Sequence, residues 1–352
     1  MNSSAQDCRV AWRRATSIGM ALVLALGLAT ARAATRPAPG HSAVAEVGPQ
    51  RVAAGGGQLP LYANVDWSAP QPDATRVVLI LHGVNRNARD YFATGREALA
   101  AAGDDARGTA LLVPQFLTET DVAAHGIADD VLRWHGARWE GGLPAMGPAP
   151  VSSFAALDAI LARLADAKAF PKLQQVVIAG HSGGGQVVQR YAVVGDGGAA
   201  LEARGVHVRY VVANPSSYLW FTAERPQPDS SGSCPDANRW KYGLDGDVPP
   251  YVTQDAAALE RRYVQRDVVY LLGGADTDPH HPALDVSCAG EAQGAFRYVR
   301  GLNYFHMLQS LDGDQLRHRV LTVDGVGHDE RRMFTSACGM AALFDRPGCG
   351  VH

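Results

Sequence analysis

Short apolar runs recur along the chain, and each ends at glycine or a polar turn. Residues 76–81 read RVVLIL and stop at His82-Gly83, residues 110–116 read ALLVPQF, and residues 174–179 read QQVVIA. Further runs lie at 206–213, 267–272 and 319–323. A strand with one wet face alternates apolar and polar side chains, whereas an unbroken apolar run suits a strand covered on both faces. Between these runs the period changes. From 153 to 168 the residues Phe154, Leu157, Ile160, Leu161 and Leu164 fall on one helical face, with Ser152 or Ser153 placed to cap it. Residues 186–194 and 331–344 also have helical character, while 34–60 is an Ala-, Gly- and Pro-rich lead-in followed by an edge strand. The fold class is α/β: an open, mostly parallel central sheet with helices on both faces. There is no internal repeat.

Two stretches break the alternation, 118–150 and 214–266. They hold Pro and Gly together with Trp134, Trp139, Trp220, Phe221, Trp240, Tyr242 and Tyr251. Long connections of this kind are lids or binding loops more often than surface decoration, and the aromatic content favours packing over a site.

The amino-terminal segment follows a different logic. Arg9, Arg13 and Arg14 precede an apolar run from Ile18 to Ala29, which ends in Ala31-Arg32-Ala33. This is the layout of a secretory signal peptide over 1–33, with the mature chain 34–352 as a single domain. The run is short for a membrane anchor, so no stable span is expected after cleavage. Removing 1–33 takes four arginines and one aspartate from a chain of formal charge -3, leaving -6. That balance offers no basic face for nucleic acid. Of the five cysteines, Cys8 leaves with the signal segment. The even set that remains in an oxidising compartment favours two disulfides, 234–288 and 338–349 being the preferred pairing. No C-x-x-C pair is present, which argues against a zinc ribbon or a redox site.

Candidate chemistry gathers where the apolar runs end. Gly180-His181-Ser182-Gly183-Gly184 is G-x-S-x-G between a strand and a helix, a context that exposes the serine on a sharp turn near a helix N-terminus. A serine hydroxyl needs a base. His328, in Gly325-Val326-Gly327-His328 after the last strand, is on a loop able to reach it. Among the other histidines, His181 packs beneath the turn, His82 belongs to a loop that donates to an oxyanion, and His280, His281, His306 and His318 read as loop, surface or structural residues. The base in turn needs a carboxylate. Asp276 follows the 267–272 strand through Gly273-Gly274-Ala275, a spacer suited to a tight turn, whereas Asp278 precedes Pro279 and is carried away from it. The backbone amides of Val84 and Gly183 are the expected oxyanion donors.

Taken together, HGV at 82–84, GHSGG at 180–184, GGAD at 273–276 and GVGH at 325–328 resemble the α/β-hydrolase superfamily over about residues 75–345. The resemblance implies an eight-stranded, mostly parallel sheet, an acyl-enzyme route and no metal or organic cofactor. Val84 and Asn85 depart from the HGGG of one lipase and esterase branch. The expectation is an exported serine hydrolase, periplasmic or secreted, that cleaves a small or polymeric carboxylic ester through Ser182, Asp276 and His328. An amidase, peptidase or acyltransferase is the alternative on the same fold, and a non-catalytic binding protein is a weaker one. The oxygen- and imidazole-rich loop from Asp276 to Asp285 raises metal chemistry as a rival, but a solvated polar loop carrying the acid is the simpler reading.

Overall fold

In the computed structural model, which describes residues 38–227, 234–313 and 315–350, the apolar runs become strands. The signal segment expected at 1–33 lies outside the described residues. An antiparallel hairpin of β1 (Gln50–Ala54) and β2 (Gly57–Ala63) comes first, then β3 (Arg76–Leu81) and β4 (Thr109–Pro114). Two short strands, β5 (Leu117–Thr118) and β6 (Arg133–Trp134), pair away from the main sheet. The remaining strands are β7 (Gln175–His181), β8 (His207–Ala213), β9 (Asp267–Gly273) and β10 (His318–Val323). The main sheet has the order β1-β2-β4-β3-β7-β8-β9-β10. It is antiparallel at β1–β2 and β2–β4 and parallel everywhere else.

The helices are α1 (Ala88–Ala102), α2 (Glu119–His125), α3 (Ser153–Leu164), α4 (Gly183–Val194), α5 (Ala199–Glu202), α6 (Ala256–Val264), α7 (Cys288–Glu291), α8 (Arg297–Asp312), α9 (Glu330–Thr335) and α10 (Ala337–Phe344). The pleat sends successive strand residues to opposite faces and so creates two cores. Val77, Leu79 and Leu81 pack with Leu157 and Ile160 of α3, Val187 and Tyr191 of α4, and Tyr304 of α8. Val78 and Ile80 pack on the other face with Tyr91 and Ala98 of α1, Phe334 of α9 and Leu343 of α10. Strands β7, β8 and β9 divide their residues in the same way. Double burial is the reason these runs are almost wholly apolar, Arg209 inside β8 being an exception.

The structure refines several boundaries. Ser152 caps α3, its Oγ accepting from Phe154 N at 3.1 Å, but the helix ends at Leu164 rather than Lys168. The closing helix is two helices meeting at Ser336, whose extended backbone and side chain cap α10, with Oγ accepting from Gly339 N at 2.9 Å. The first insertion is more ordered than its composition suggests, holding α2, the β5–β6 pair and a 3-10 turn at Arg138–Gly141. The second has no helix or strand among its described residues until α6.

Both disulfides pair as the spacing suggested, Cys234–Cys288 and Cys338–Cys349. The first ties the second insertion to the start of α7. The second closes a short loop that contains Asp345, which accepts from Arg76 at 3.0 Å and from Arg209 at 2.6 Å. Among the described residues no helix is long and apolar enough to cross a membrane.

Loop-closure entropy grows with the enclosed length, and the two loops differ in sequence separation, 54 against 11 residues. Removing Cys234 and Cys288 together is therefore expected to lower unfolding free energy by about 1.4 kcal/mol more than removing Cys338 and Cys349 together. Urea unfolding of the two double-alanine variants under non-reducing conditions measures this, and equal midpoints would contradict it.

Candidate active site

The turn between β7 and α4 consists of one residue, Ser182, because α4 begins at Gly183. The serine sits at φ 58°, ψ -120°, a left-handed backbone that costs a side-chain-bearing residue about 1–3 kcal/mol. The surroundings enforce it. A Cβ on Gly180 would stand 2.3 Å from the carbonyl oxygen of Gly184, and one on Gly184 would stand 2.2 Å from that of Leu81. The two glycines let the helix close onto the strand ends, and the Ser182 amide is anchored to Ala213 O at 3.0 Å.

Strands β7, β9 and β10 run parallel, so the segments leaving their carboxyl ends converge. His328, beyond β10, places Nε2 2.9 Å from Ser182 Oγ. Its Nδ1 is 2.8 Å from Oδ2 of Asp276, which follows β9. The carboxylate accepts only, so Nδ1 carries the proton and Nε2 is left to accept from the serine. Asp278 is exposed and accepts instead from the amide of His280 at 2.8 Å, within its own loop. Ser216 and Ser217, at the end of β8, have no histidine partner among the described residues; Ser217 Oγ donates to Gln186 at 2.9 Å.

The electrostatics keep this relay ready to accept a proton. Burial pushes His328 down to about 4, against its hydrogen bond to Asp276, and the charge of Arg297 adds to the lowering. For Asp276 burial acts to raise the pKa, but the His328 hydrogen bond and the positive charge of Arg297 outweigh it and hold the carboxyl below its usual value. His181 is also held well below its usual value, by burial first and then by its neighbours. Its ring lies 4.5 Å from that of His328, and its Nδ1 is 3.1 Å from the Tyr91 hydroxyl. His82 is a strut: its Nε2 accepts from Phe116 N at 3.0 Å, and its Nδ1 lies 2.9 Å from Gly83 O. His318 is structural as well, bracketed by Tyr263 and Tyr270. Neither the Val84 nor the Gly183 amide has an acceptor among the described residues.

Three side chains close to this relay carried no signal in the sequence reading as participants. Arg297, the first residue of α8, is wholly buried and donates through Nη1 to Asp276 Oδ1 at 3.3 Å. Its Nη2 is 3.2 Å from His281 Nδ1, which also accepts from Ala283 N at 3.1 Å. His281 was read as a loop residue, yet its ring stands 4.9 Å from that of His328. Glu140, in the first insertion, is only 4% exposed and approaches the elbow beside Gly183. The contacts that bring these side chains to the relay are not local in sequence, so no spacing rule could have found them. Among the described residues no cluster of three His, Cys, Asp or Glu side chains has the arrangement of a metal site.

The arrangement can activate a hydroxyl, hold its proton and stabilise an oxyanion within one cleft. No protein-family model matches the chain, and no curated protein matches it. Solved structures do. A poly(3-hydroxybutyrate) depolymerase, LpqC, from Bordetella parapertussis aligns at TM-score 0.58 with 23% identity, covering 83% of this chain and 85% of its own. Poly(aspartic acid) hydrolase-1 from Sphingomonas sp. KT-1 aligns at TM-score 0.56 with 22% identity, covering 82% and 95%. At these identities the likeness is one of fold.

Arg297 gives a pH test. Only the neutral imidazole can accept the serine proton, so fluorophosphonate labelling of Ser182 should fall as His328 protonates, with a midpoint near its depressed value of about 4. In Arg297→Met the positive charge that disfavours imidazolium is gone, and the midpoint should move up towards the ordinary ~6.5. An unmoved midpoint would leave Arg297 with a packing role only.

Proposed function

The chain has the α/β-hydrolase fold, and on that premise we propose that it is an exported serine hydrolase that cleaves a carboxylic ester through an acyl-enzyme intermediate. The observation carrying this reading is the unbroken hydrogen-bond relay Ser182–His328–Asp276 at the carboxyl ends of parallel strands. Ser182 Oγ attacks the ester carbonyl while His328 Nε2 takes its proton, and the Val84 and Gly183 amides hold the oxyanion. Collapse breaks the bond to the alcohol, which leaves with the proton from His328. Water then gives a proton to the same nitrogen as its oxygen bonds to the acyl carbon; the bond to Ser182 Oγ breaks, the acid leaves, and His328 returns the proton to the serine. Asp276 fixes the imidazole tautomer throughout and stays ionised.

Export is supported by the layout of residues 1–33 and by two disulfides, which persist in oxidising compartments. Residues 34–352 would then be the working enzyme, with the insertions at 118–150 and 214–266 walling the cleft. The substrate would be a small or polymeric ester. An amide is the alternative bond, because one solved neighbour is named for a polyester and the other for a poly(amino acid). Nitrophenyl esters of graded chain length beside matched amides decide between them, and cleavage of the amides alone would overturn the ester reading.

Ser182→Ala should abolish turnover and fluorophosphonate labelling while leaving the thermal transition in place. Labelling at Ser216 or Ser217 would contradict the assignment. Asp276→Asn should lower turnover on the order of 10⁴-fold, because the tautomer is no longer fixed, with labelling slow but detectable. Asp278→Asn should cost about tenfold or less. The reverse ranking at saturating substrate would make Asp278 the acid.

A further inference from the structure

The first insertion brings a carboxylate into the space beside the nucleophile. Glu140 Oε2 accepts from Gln186 Nε2 at 3.2 Å and lies 3.5 Å from Lys241 Nζ. The backbone carbonyl of Glu140 accepts from the buried Arg190 at 3.1 Å, which fixes the residue at its base. Oε1 has no donor among the described residues and is not among the fully buried polar atoms left without a partner. Its direction follows from a neighbour that lacks a side chain. The point where a Gly183 Cβ would stand is 2.6 Å from Glu140 Oε1, 3.0 Å from the Val84 backbone nitrogen and 3.3 Å from the Trp139 ring. An open carboxylate oxygen and an oxyanion donor therefore face one small volume above the start of α4.

Such a neighbour is unfavourable unless something lies between the charges. Like charges in such proximity repel, and an oxyanion held by Val84 and Gly183 would feel that repulsion. Lys241 offsets part of it from the far side, through Oε2. A substrate group that donates to Oε1 offsets the rest at the moment the oxyanion forms. The leaving alcohol is not positioned to do this, because His328, which protonates it, comes from the loop after β10, whereas Glu140 stands with Val84 and Gly183. The donor therefore belongs to the acyl part.

Resting on the ester-hydrolase reading above, we propose that Glu140 Oε1 forms a specificity subsite for acyl groups carrying a hydrogen-bond donor, an ammonium or a hydroxyl, close to the scissile carbonyl. The substrates would be esters of amino or hydroxy acids rather than of plain fatty acids. No covalent step is added, and Glu140 acts by binding and by charge alone.

The experiment compares three nitrophenyl esters of equal chain length, butyryl, 3-hydroxybutyryl and 3-ammoniobutyryl, on the full chain and on Glu140→Gln and Lys241→Met. In the unaltered protein kcat/KM for at least one donor-bearing ester should exceed that for butyryl by about tenfold or more, the scale of one charge-assisted hydrogen bond. A preference for 3-ammoniobutyryl identifies a cationic acyl group, and one for 3-hydroxybutyryl a neutral one. Glu140→Gln should collapse the ammonium-to-butyryl ratio by about tenfold and the hydroxyl-to-butyryl ratio by less, since the amide oxygen still accepts. Lys241→Met should move the ammonium ratio the other way, upwards, by removing the competing cation. Equal rates on all three esters in the unaltered protein, or a parallel fall on all three in Glu140→Gln, overturns the subsite and leaves the ester reading intact. Hydrolysis of none of them, together with cleavage of amides, overturns the ester reading and the subsite with it.

Discussion

Burial of the central strands on both faces is the constraint from which the rest follows. β3, β7, β8 and β9 have almost no solvent-facing residue, so they do not alternate, and because they run parallel each needs a crossover that returns the chain to the same end. Parallel strands then present all their carboxyl ends on one side of the sheet. Val84, Ser182, Asp276 and His328 stand far apart in sequence and meet there because four separate strands stop at that edge.

The parts legible in the sequence are those whose physics is local. Continuous apolar runs marked the parallel strands, and the glycines around Ser182 marked a turn too tight for side chains. The tight-turn spacer before Asp276 pointed to the aspartate that contacts His328. What escaped was set by contacts across the fold. Helix α1 faces the core with Thr94, Gly95 and small alanines, and α8 buries Arg297 and Arg300 on its inner side, so neither shows a clean apolar stripe. The 331–344 segment has one continuous pattern but two helices, because Ser336 withdraws its backbone from the first and caps the second. Glu140 and Arg297 reach the cleft from an insertion and a helix start, where composition carries no directional information.

The cleft is rich in ionisable groups, yet few of them are free to change charge. His181 and His281 each lie against the His328 ring, beside the permanent cation Arg297. Burial lowers the pKa of each imidazole first, and the neighbouring positive charge adds to the lowering, while Asp276 with Arg297 supplies a paired, fixed background. A neutral base at neutral pH is the outcome of that burial, reinforced by the charges around it.

At the opposite end of the sheet, the loop closed by Cys338 and Cys349 carries Asp345 between two arginines that rise from the starts of β3 and β8. The segment around Asp345 is thereby riveted to the body of the protein at the end of the sheet away from Ser182. A protease that cuts inside that loop makes a nick without releasing a fragment, since the far piece remains covalently held through sulfur. The covalent tie thus sits at the end of the sheet remote from the chemistry, where it holds a nicked loop without touching the Ser182 side.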